Sequence, residues 1–231
     1  MSWLIFERAA SRYQQWYTTR AGRRADAAER RLLLYLIDLF HNARSVLEVG
    51  CGTGHFTAFL AVRGFSATGL DRAPAMLTEA ARGFPSLRLV LGDAHDLPFR
   101  DTSADLVVFV TTLEFLEDPA RALREAVRVA RRGVVAVVLN RCSLGGLSRR
   151  WGPQSRGALL SKARDFSAGE LRQHLLEAAG RRADGIRMVS TLFPDGLSRA
   201  ISRIPLGGVI GAAVKLRNAA DAGGRLNSSG R

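Results

Sequence analysis

The sequence predicts an α/β domain built on a doubly wound, mostly parallel sheet of seven strands. Short apolar segments rich in valine and leucine alternate with helical patterns, and a glycine-rich loop follows the first of these segments. Strands of this composition are typical of a parallel sheet buried on both faces. Aromatic and aliphatic residues also recur at helical spacing over residues 3–40, which predicts a helical cap ahead of the sheet.

The predicted strands and helices follow one another in a regular order. The strands are expected at residues 45–50, 66–71, 87–92, 104–110, 133–139, 185–192 and 207–216. The helices between them are expected at residues 54–63, 73–83, 119–131 and 168–179. Ser167 and Glu170 predict a capping box at the start of the last of these helices, and Gly180 is expected to end it. Gly22 is expected to separate two helices of the cap.

A chain of 231 residues is long enough for one sizeable domain, which we expect to span residues 1–217. The helical cap would occupy residues 1–42. Residues 141–165 hold six basic residues and no acidic residue before Asp165, and several glycines interrupt them. We interpret this segment as a basic, lid-like insertion over the carboxyl edge of the sheet. Residues 218–231 are small and polar and are expected to be a disordered tail.

The formal net charge of +13 raises the question of a nucleic-acid partner. Lysine occurs only at positions 162 and 215, and the many arginines are spread along the chain. This distribution favours a generally basic surface over a nucleic-acid interface, and it is compatible with an anionic or amphipathic small acceptor. The oligomeric state is left open.

The cysteines, the histidines and the length of the apolar runs bear on cellular location, metal binding and membrane spanning. Two cysteines, Cys51 and Cys142, do not make a disulfide framework, so we expect a cytoplasmic protein. His41, His95 and His174 show no metal-ligand spacing, and no metal site is expected. The longest apolar run, residues 32–40, is far too short for a transmembrane helix and contains Asp38.

The loop after the first strand is the main functional signal. Gly50, Gly52 and Gly54 alternate with other residues, and glycine lets a backbone turn sharply and approach a ligand closely. A dinucleotide site would have a third small residue where His55 stands, and a phosphate-binding P-loop would need a Gly-Lys-Ser/Thr sequence that is absent. The loop therefore indicates another nucleotide-like ligand.

The ends of the second and third strands indicate a ligand that contains adenosine and no phosphates. Asp71 ends the second strand, where an acidic residue can accept hydrogen bonds from a ribose diol. Asp93 could accept a hydrogen bond from an adenine amino group, and the Ala94 N–H could donate to a ring nitrogen. Met76 offers apolar surface to a purine, and no basic side chains form a phosphate cradle.

Several segments together resemble the class I S-adenosylmethionine-dependent methyltransferases, most closely the small-molecule, ubiquinone/menaquinone-methyltransferase-like "type 11" group. The matching segments include Val46-Leu47-Glu48-Val49-Gly50-Cys51-Gly52-Thr53-Gly54, Gly69-Leu70-Asp71 and Gly92-Asp93-Ala94-His95-Asp96-Leu97-Pro98-Phe99. The resemblance covers residues 45–140 well and residues 185–216 loosely. It implies a Rossmann-like fold and S-adenosylmethionine as the cofactor. The implied activity is in-line transfer of a methyl group to a small-molecule acceptor.

The resemblance also implies roles for individual residues. The cofactor-binding residues would be Glu48, Gly50, Cys51, Gly52, Gly54, Asp71, Arg72, Met76, Asp93, Ala94 and Thr111. Glu114 and His55 are candidate proton acceptors, needed only if the acceptor must lose a proton. Candidate substrate contacts are Tyr13, Trp16, Tyr17, Glu114 and Arg141.

Two other functions stay open at this point. The chain could methylate RNA or protein through its basic surface, or it could be a non-catalytic subunit that binds S-adenosylmethionine. The fourth strand ends Val110-Thr111-Thr112-Leu113, without the Asn/Asp-Pro-Pro-Tyr/Phe sequence of enzymes that methylate exocyclic amino groups of nucleobases. This absence further disfavours a nucleic-acid substrate.

Overall fold

The computed structural model describes residues 3–143, 163–191 and 201–217. Three helices come first: α1 (Trp3–Tyr13), α2 (Gln15–Thr18) and α3 (Arg20–Ile37). The sheet strands are β1 (Ser45–Val49), β2 (Ser66–Asp71), β3 (Arg88–Leu91), β4 (Ala104–Val110), β5 (Ala130–Leu139), β6 (Ala183–Thr191) and β7 (Val209–Leu216). The helices between them are α4 (His55–Val62), α5 (Pro74–Gly83), α6 (Pro119–Val129) and α7 (Ala168–Ala179), with short 3₁₀ helices at Leu113–Phe115 and Gly180–Arg182.

The seven strands form one sheet in the order β3-β2-β1-β4-β5-β7-β6. Strands β1 to β5 pair in parallel, whereas β7 runs antiparallel to both β5 and β6. The doubly wound, mostly parallel sheet with a helical N-terminal cap is therefore confirmed. Because the five parallel strands all end at one edge, the loops that follow them meet there.

The core consists of two layers, one on each face of the sheet. Every residue of β4 is buried, and successive side chains point to opposite faces. Val107 and Phe109 pack in the layer that contains α6 and α7, while Leu106 and Val108 pack in the layer that contains α3 and α4. Because core residues cover both faces of β4, its sequence is a continuous apolar run and does not alternate between apolar and polar residues.

The boundary between the helices of the cap lies at a different position from the predicted one. Gly22 was expected to separate two helices, but it lies in the first turn of α3, and the cap has a separate short helix, α2. The Thr19 side chain caps α3 by accepting a hydrogen bond from the Gly22 N–H at 2.9 Å. A Cβ at position 22 would lie 1.9 Å from the Trp16 carbonyl oxygen, so the glycine permits the tight joint between the two helices.

The other element boundaries agree closely with the prediction. Strand β5 begins at Ala130, so the preceding helix ends at Val129 instead of residue 131. The Ser167–Glu170 capping box is present, and Gly180 caps the end of α7. Most of the basic segment 141–165 and the whole predicted tail 218–231 lie outside the described residues. Of the part that the structure describes, no helix is both long and apolar enough to cross a bilayer.

Asp105 connects three elements at the amino end of the sheet. Its carboxylate accepts hydrogen bonds from the backbone N–H groups of Arg44 and Ser45, at 2.8 and 3.1 Å. It also pairs with the guanidinium groups of Arg131 and Arg132, at 2.7 and 3.3 Å. The residue is only 5% exposed, so this one carboxylate fixes the starts of β1, β4 and β5.

We expect Asp105→Ala to lower the free energy of unfolding by about 2–3 kcal/mol, because it removes the acceptor of several charge-assisted hydrogen bonds. Urea unfolding followed by circular dichroism measures the change. The control is Asp184→Ala, which removes an exposed ion pair with Arg217 and should cost about 0–1 kcal/mol. Equal losses in the two variants would show that Asp105 does not join the strands in this way.

Candidate active site at the carboxyl edge of the sheet

An open pocket of about 930 Å³, counted with its mouth, lies at the carboxyl edge of the sheet below α1 and α2. Many of the predicted site residues line it: Tyr13, Tyr17, Glu48, Gly50, Cys51, Gly52, His55, Asp71, Arg72, Met76, Asp93, Ala94 and Thr111. The ends of β1, β2, β3 and β4 thus contribute to one cavity, as the topology requires.

The glycine loop forms the floor of this pocket. Gly50 and Gly52 have φ angles of +76° and +52°, which side chains disfavour. A Cβ on Gly50 would lie 2.2 Å from Thr112, so this position admits only glycine. A Cβ on Gly52 would instead come no closer than 4.0 Å to Met76 and Tyr13. Gly52 therefore presents bare backbone to the open cavity, which is what close approach of a ligand needs.

Asp71 links the loop to the second strand. One carboxylate oxygen accepts from the Gly52 N–H at 2.7 Å, and the other accepts from the Ala73 N–H at 2.9 Å. Burial raises the pKa of Asp71, and these backbone N–H groups oppose that rise. A carboxylate has about four acceptor positions, so Asp71 can hold the loop and still accept hydrogen bonds from a ligand in the pocket.

Asp93 lies at the end of the third strand with two partners of its own. Its Oδ1 accepts from the His95 N–H at 2.9 Å, and its Oδ2 lies 3.2 Å from the Arg72 guanidinium. Partial burial opposes ionisation, but the hydrogen bonds from His95 and the charge of Arg72 outweigh it and lower the pKa of Asp93. The ionised carboxylate is 35% exposed and stands at the pocket wall beside Ala94.

Glu48 is the most deeply buried acidic residue of the pocket lining, at 2% exposure. It accepts a short hydrogen bond from the Thr57 hydroxyl. Burial raises the pKa of Glu48 to about 8, although the hydrogen bond from Thr57 opposes this rise. The group therefore changes charge near neutral pH, and a cationic ligand group beside it would favour the ionised form.

His55 joins the pocket to the cap. Its Nε2 lies 2.7 Å from an Asp26 carboxylate oxygen and 2.8 Å from the Arg30 guanidinium, and its ring stacks on Tyr17 at 3.8 Å. Burial lowers the pKa of His55, and Asp26 opposes this effect. The imidazole is thus held at the pocket wall by three cap residues.

The wall opposite the glycine loop is aromatic. Phe6 packs edge-on against Phe115 at 4.8 Å, and it also contacts Tyr13, which in turn contacts Tyr17. The Arg72 guanidinium lies over the Trp3 ring at 5.7 Å. The cap is fixed to the domain below it by the Glu7 carboxylate, which accepts from the Ala75 N–H at 3.0 Å.

The strand that ends beside this wall contains a strained residue. Thr111 has a φ of +48°, which is uncommon for a β-branched residue, and its N–H donates to the Val137 carbonyl at 2.8 Å. The unusual backbone conformation turns the chain sharply between β4 and the 3₁₀ helix. It places Thr111, Thr112 and Phe115 on the pocket side.

Four predicted site residues lie outside the pocket lining. Gly54 packs against α5, where a Cβ would come within 3.1 Å of Ala80. Trp16 is 40% exposed on the outer side of the cap. Glu114 is buried, and it accepts a hydrogen bond from the Leu139 N–H at 2.7 Å. Arg141 forms an ion pair with Glu170 at 2.9 Å.

The pocket also has lining residues that the sequence reasoning missed. These are Trp3, Phe6, Thr53, Phe56, Leu70, Gly92, His95, Val110, Leu116 and Glu117. Thr112 and Phe115 also line the pocket, and they belong to residues 111–115, which the resemblance implies would flank the transferable methyl group. A signal existed for two of the missed residues, because Trp3 and Phe6 lie on the same helical face as Tyr13, ten and seven residues before it. No comparable pattern marks the others, which depend on how the strand ends converge.

The part of the chain that contains the strand ends of this site matches a known family. Residues 47–138 match the family model described as "Methyltransferase domain". A malonyl-[acyl-carrier protein] O-methyltransferase from Pectobacterium atrosepticum is 31% identical over 59% of this chain and 57% of its own length. A chloroplastic 2-methyl-6-phytyl-1,4-hydroquinone methyltransferase from Arabidopsis thaliana is 38% identical over 44% of this chain and 31% of its own length.

A solved structure extends the likeness to nearly the whole chain. It is a SAM-dependent methyltransferase from Thermotoga maritima, described as a possible histamine N-methyltransferase. It is 26% identical, with a TM-score of 0.77 over 93% of this chain and all of its own. The match to curated relatives such as the Pectobacterium protein spans little more than half of their length. Residues 47–138 therefore match the methyltransferase-domain family, and the fold of nearly the whole chain is similar to that of an S-adenosylmethionine-dependent methyltransferase.

Proposed function

We propose that the protein transfers a methyl group from S-adenosylmethionine to a small-molecule acceptor. The observation that carries this proposal is the convergence of the glycine loop, Asp71 and the Asp93–Ala94 strand end on one pocket beneath a helical cap. The curated relatives named above are methyltransferases, which supports the same activity. A cytoplasmic location is part of the proposal, and it is supported by two cysteines that are both free.

The residues of the pocket fit the cofactor in charge and shape. The bare backbone at Gly52 would lie under its methionine part, with the Glu48 carboxylate receiving hydrogen bonds from its amino group. Asp71 would accept from the ribose hydroxyls, while Asp93 and Ala94 would contact the adenine. Cys51, Arg72, Met76 and Thr111 line the same space and complete the set of candidate contacts. When bound, the sulfonium of the cofactor supplies an electrophilic methyl group.

The protein's contribution to the reaction is then mainly positional. Holding two reactants in line replaces a bimolecular encounter and can lower the barrier by several kcal/mol, roughly 7–11 in favourable cases. The aromatic wall formed by Phe6, Tyr13, Tyr17 and Phe115 would exclude water and orient the acceptor. Of the two candidate proton acceptors, His55 lines the pocket, whereas Glu114 does not. Their catalytic roles stay predictions.

The pocket's depth and wall favour a small acceptor with an apolar part. Because α1 and α2 lie over the cavity, a folded macromolecule would have to displace the cap to reach the pocket floor. The alternative of an anionic acceptor was based on the basic segment 141–165, and of that segment Arg141 and Arg164 both contact Glu170. We therefore propose an amphipathic acceptor.

Turnover tests the activity itself. The purified chain, incubated with S-adenosylmethionine and pooled small-molecule acceptors, is expected to release S-adenosylhomocysteine, which chromatography quantifies. Reactions without acceptor are the control. Binding of the cofactor without product from any pool would favour a non-catalytic binding subunit.

Asp71→Ala tests the placement of the cofactor. We expect affinity for S-adenosylmethionine to fall by about 100-fold in titration calorimetry, since two charge-assisted hydrogen bonds to the ribose are lost. Asp184→Ala, far from the pocket and in an exposed ion pair, should bind like the unchanged protein. Unaltered affinity in Asp71→Ala, with the fold confirmed by circular dichroism, would show that the ribose lies elsewhere.

The raised pKa of Glu48 predicts that cofactor binding depends on pH. With a pKa of about 8, the free protein holds a proton on Glu48 below that pH, and binding of a cationic amino group would release it. Between pH 5.5 and 7, affinity should rise about tenfold per pH unit, because one proton is released per binding event. The window ends where the cofactor's own amino group titrates, at about pH 8.

Calorimetry in buffers of different ionisation enthalpy counts the released proton. Glu48→Gln should bind with little pH dependence and no proton release, whereas Glu177→Gln, on the exposed face of α7, should retain both. Proton release that survives in Glu48→Gln would assign the titrating group to another residue.

A further inference from the structure

Helix α1 has two faces of different character. Phe6 and Tyr13 lie on its inner face and line the pocket. Leu4, Arg8 and Arg12 lie on the opposite face, and all three are exposed. Because these three residues recur every four positions, they form one stripe along the outside of the helix.

The stripe continues into α2. Gln14, which joins the two helices, has the helical backbone angles φ −61° and ψ −27°. Trp16 therefore follows Arg12 at the same four-residue spacing. Leu4 and Trp16 are 41% and 40% exposed, which is unusual for large apolar side chains. We call Leu4, Arg8, Arg12 and Trp16 the outer stripe, in which two arginines lie between two large apolar residues.

The acidic residues of α1, α2 and α3 all face inward. Glu7 accepts a hydrogen bond from the Ala75 N–H, and Asp26 contacts His55 in the pocket wall. Glu29 is buried. These three helices, which the structure describes over their whole length, therefore carry no exposed carboxylate beside the outer stripe.

The exposed arginines of the cap are not neutralised. Both arginines of the outer stripe, and Arg20 at the start of α3, form no ion pair within the described part of the chain. Arg23 is also exposed, and it donates to the Thr18 carbonyl at the end of α2. The next exposed acidic residue along the chain, Asp38, lies about 27 Å from Arg20 along the axis of α3.

Free arginines bordered by large apolar side chains fit the surface of an anionic lipid bilayer. The arginines attract the lipid phosphates, while leucine and the tryptophan ring bury apolar area at the boundary between headgroups and acyl chains. A nucleic acid would also attract the arginines, but it would gain nothing from Leu4. A second copy of the outer stripe would repel the first, because both are positively charged.

We propose that the outer stripe docks the protein on anionic lipid bilayers. Helix α1 then lies along the bilayer surface, with its outer face toward the lipid and its inner face toward the pocket. An acceptor dissolved in the bilayer would be separated from the pocket by one helix diameter, about 10 Å. The docking goes beyond the proposed function and does not require methyl transfer, so binding measured without an acceptor tests it alone.

Sedimentation with lipid vesicles tests the docking. Vesicles of equal parts phosphatidylcholine and phosphatidylglycerol should bind the protein at least about 30-fold more tightly than vesicles of phosphatidylcholine alone. Raising the salt concentration from about 0.1 to 0.5 M should remove most of this binding, because the Debye length becomes shorter. Equal binding to both kinds of vesicle, or binding that salt does not weaken, would overturn the proposal.

Two double variants with the same loss of charge locate the binding surface. Arg8→Gln with Arg12→Gln should weaken binding to the anionic vesicles about 30-fold, since each arginine near such a surface contributes about fivefold. Arg124→Gln with Arg172→Gln changes exposed positions on α6 and α7, which cover the sheet face opposite to α3, and should have an effect below about twofold. Equal weakening by both would show that net charge alone binds the lipid and would overturn the proposal.

Calorimetry with S-adenosylmethionine shows whether these variants keep their fold. Both double variants should bind the cofactor like the unchanged protein, because none of the four arginines lines the pocket. If Arg8→Gln with Arg12→Gln lost cofactor binding, the single variants would be compared instead, each with an expected loss of about fivefold in vesicle binding. Single variants that bind cofactor normally and vesicles undiminished would contradict the docking.

Fluorescence tests the apolar part of the outer stripe. Lipids with brominated acyl chains quench a tryptophan that reaches the acyl boundary, so anionic vesicles that contain them should quench the unchanged protein. Trp16→Phe should lose most of this quenching, whereas Trp3→Phe, at the pocket, should keep it. Quenching that persists in Trp16→Phe would assign the lipid contact to another surface and overturn the proposal. Displacement of the protein from the vesicles by polyuridylate at equal accessible phosphate would assign the arginines to nucleic acid, with the same consequence.

Discussion

The attachment of the glycine loop to the second strand is the constraint on which the site depends. The N–H groups of Gly50 and Cys51 both donate to the Leu70 carbonyl, at 2.7 and 2.9 Å, and the Gly52 N–H donates to Asp71. These bonds hold the loop with its bare backbone toward the cavity. The neighbouring contacts depend on the same glycines, because Thr112 approaches Gly50 too closely for any side chain. Gly54 has a φ of +77°, which disfavours side chains, and Ala80 of α5 would lie 3.1 Å from a Cβ there.

The charge distribution of the molecule changes sharply from surface to pocket. The chain as a whole carries a net charge of +13, yet the pocket and its surroundings concentrate carboxyl groups: Glu29, Glu48, Asp71, Asp93 and Glu114. Burial keeps two of them, Glu29 and Glu48, titratable near neutral pH. A positively charged cofactor suits such an interior, so the net charge of the chain is a poor guide to what the pocket binds.

The helical cap has a double role in this arrangement. It closes the pocket with Phe6, Tyr13 and Tyr17, and it brings Asp26 of α3 to His55 in the same wall. The cap is fixed at separate points, by Glu7 on α5, by Gln14 on Thr53 at 3.0 Å, and by the Tyr17–His55 stack. The helices that close the pocket therefore lie outside the matched residues 47–138.

The sequence by itself determined the sheet, its helices and the group of residues at the strand ends. Alternating apolar segments and glycine spacing are local signals, and parallel strands bring their carboxyl ends together whatever the loops contain. Position along the chain could not show that Gly22 lies within a helix, that Trp16 points away from the pocket, or that Glu114 turns toward β5. Those outcomes depend on helix joints and on packing between segments that are distant in sequence, so only the tertiary structure decides them.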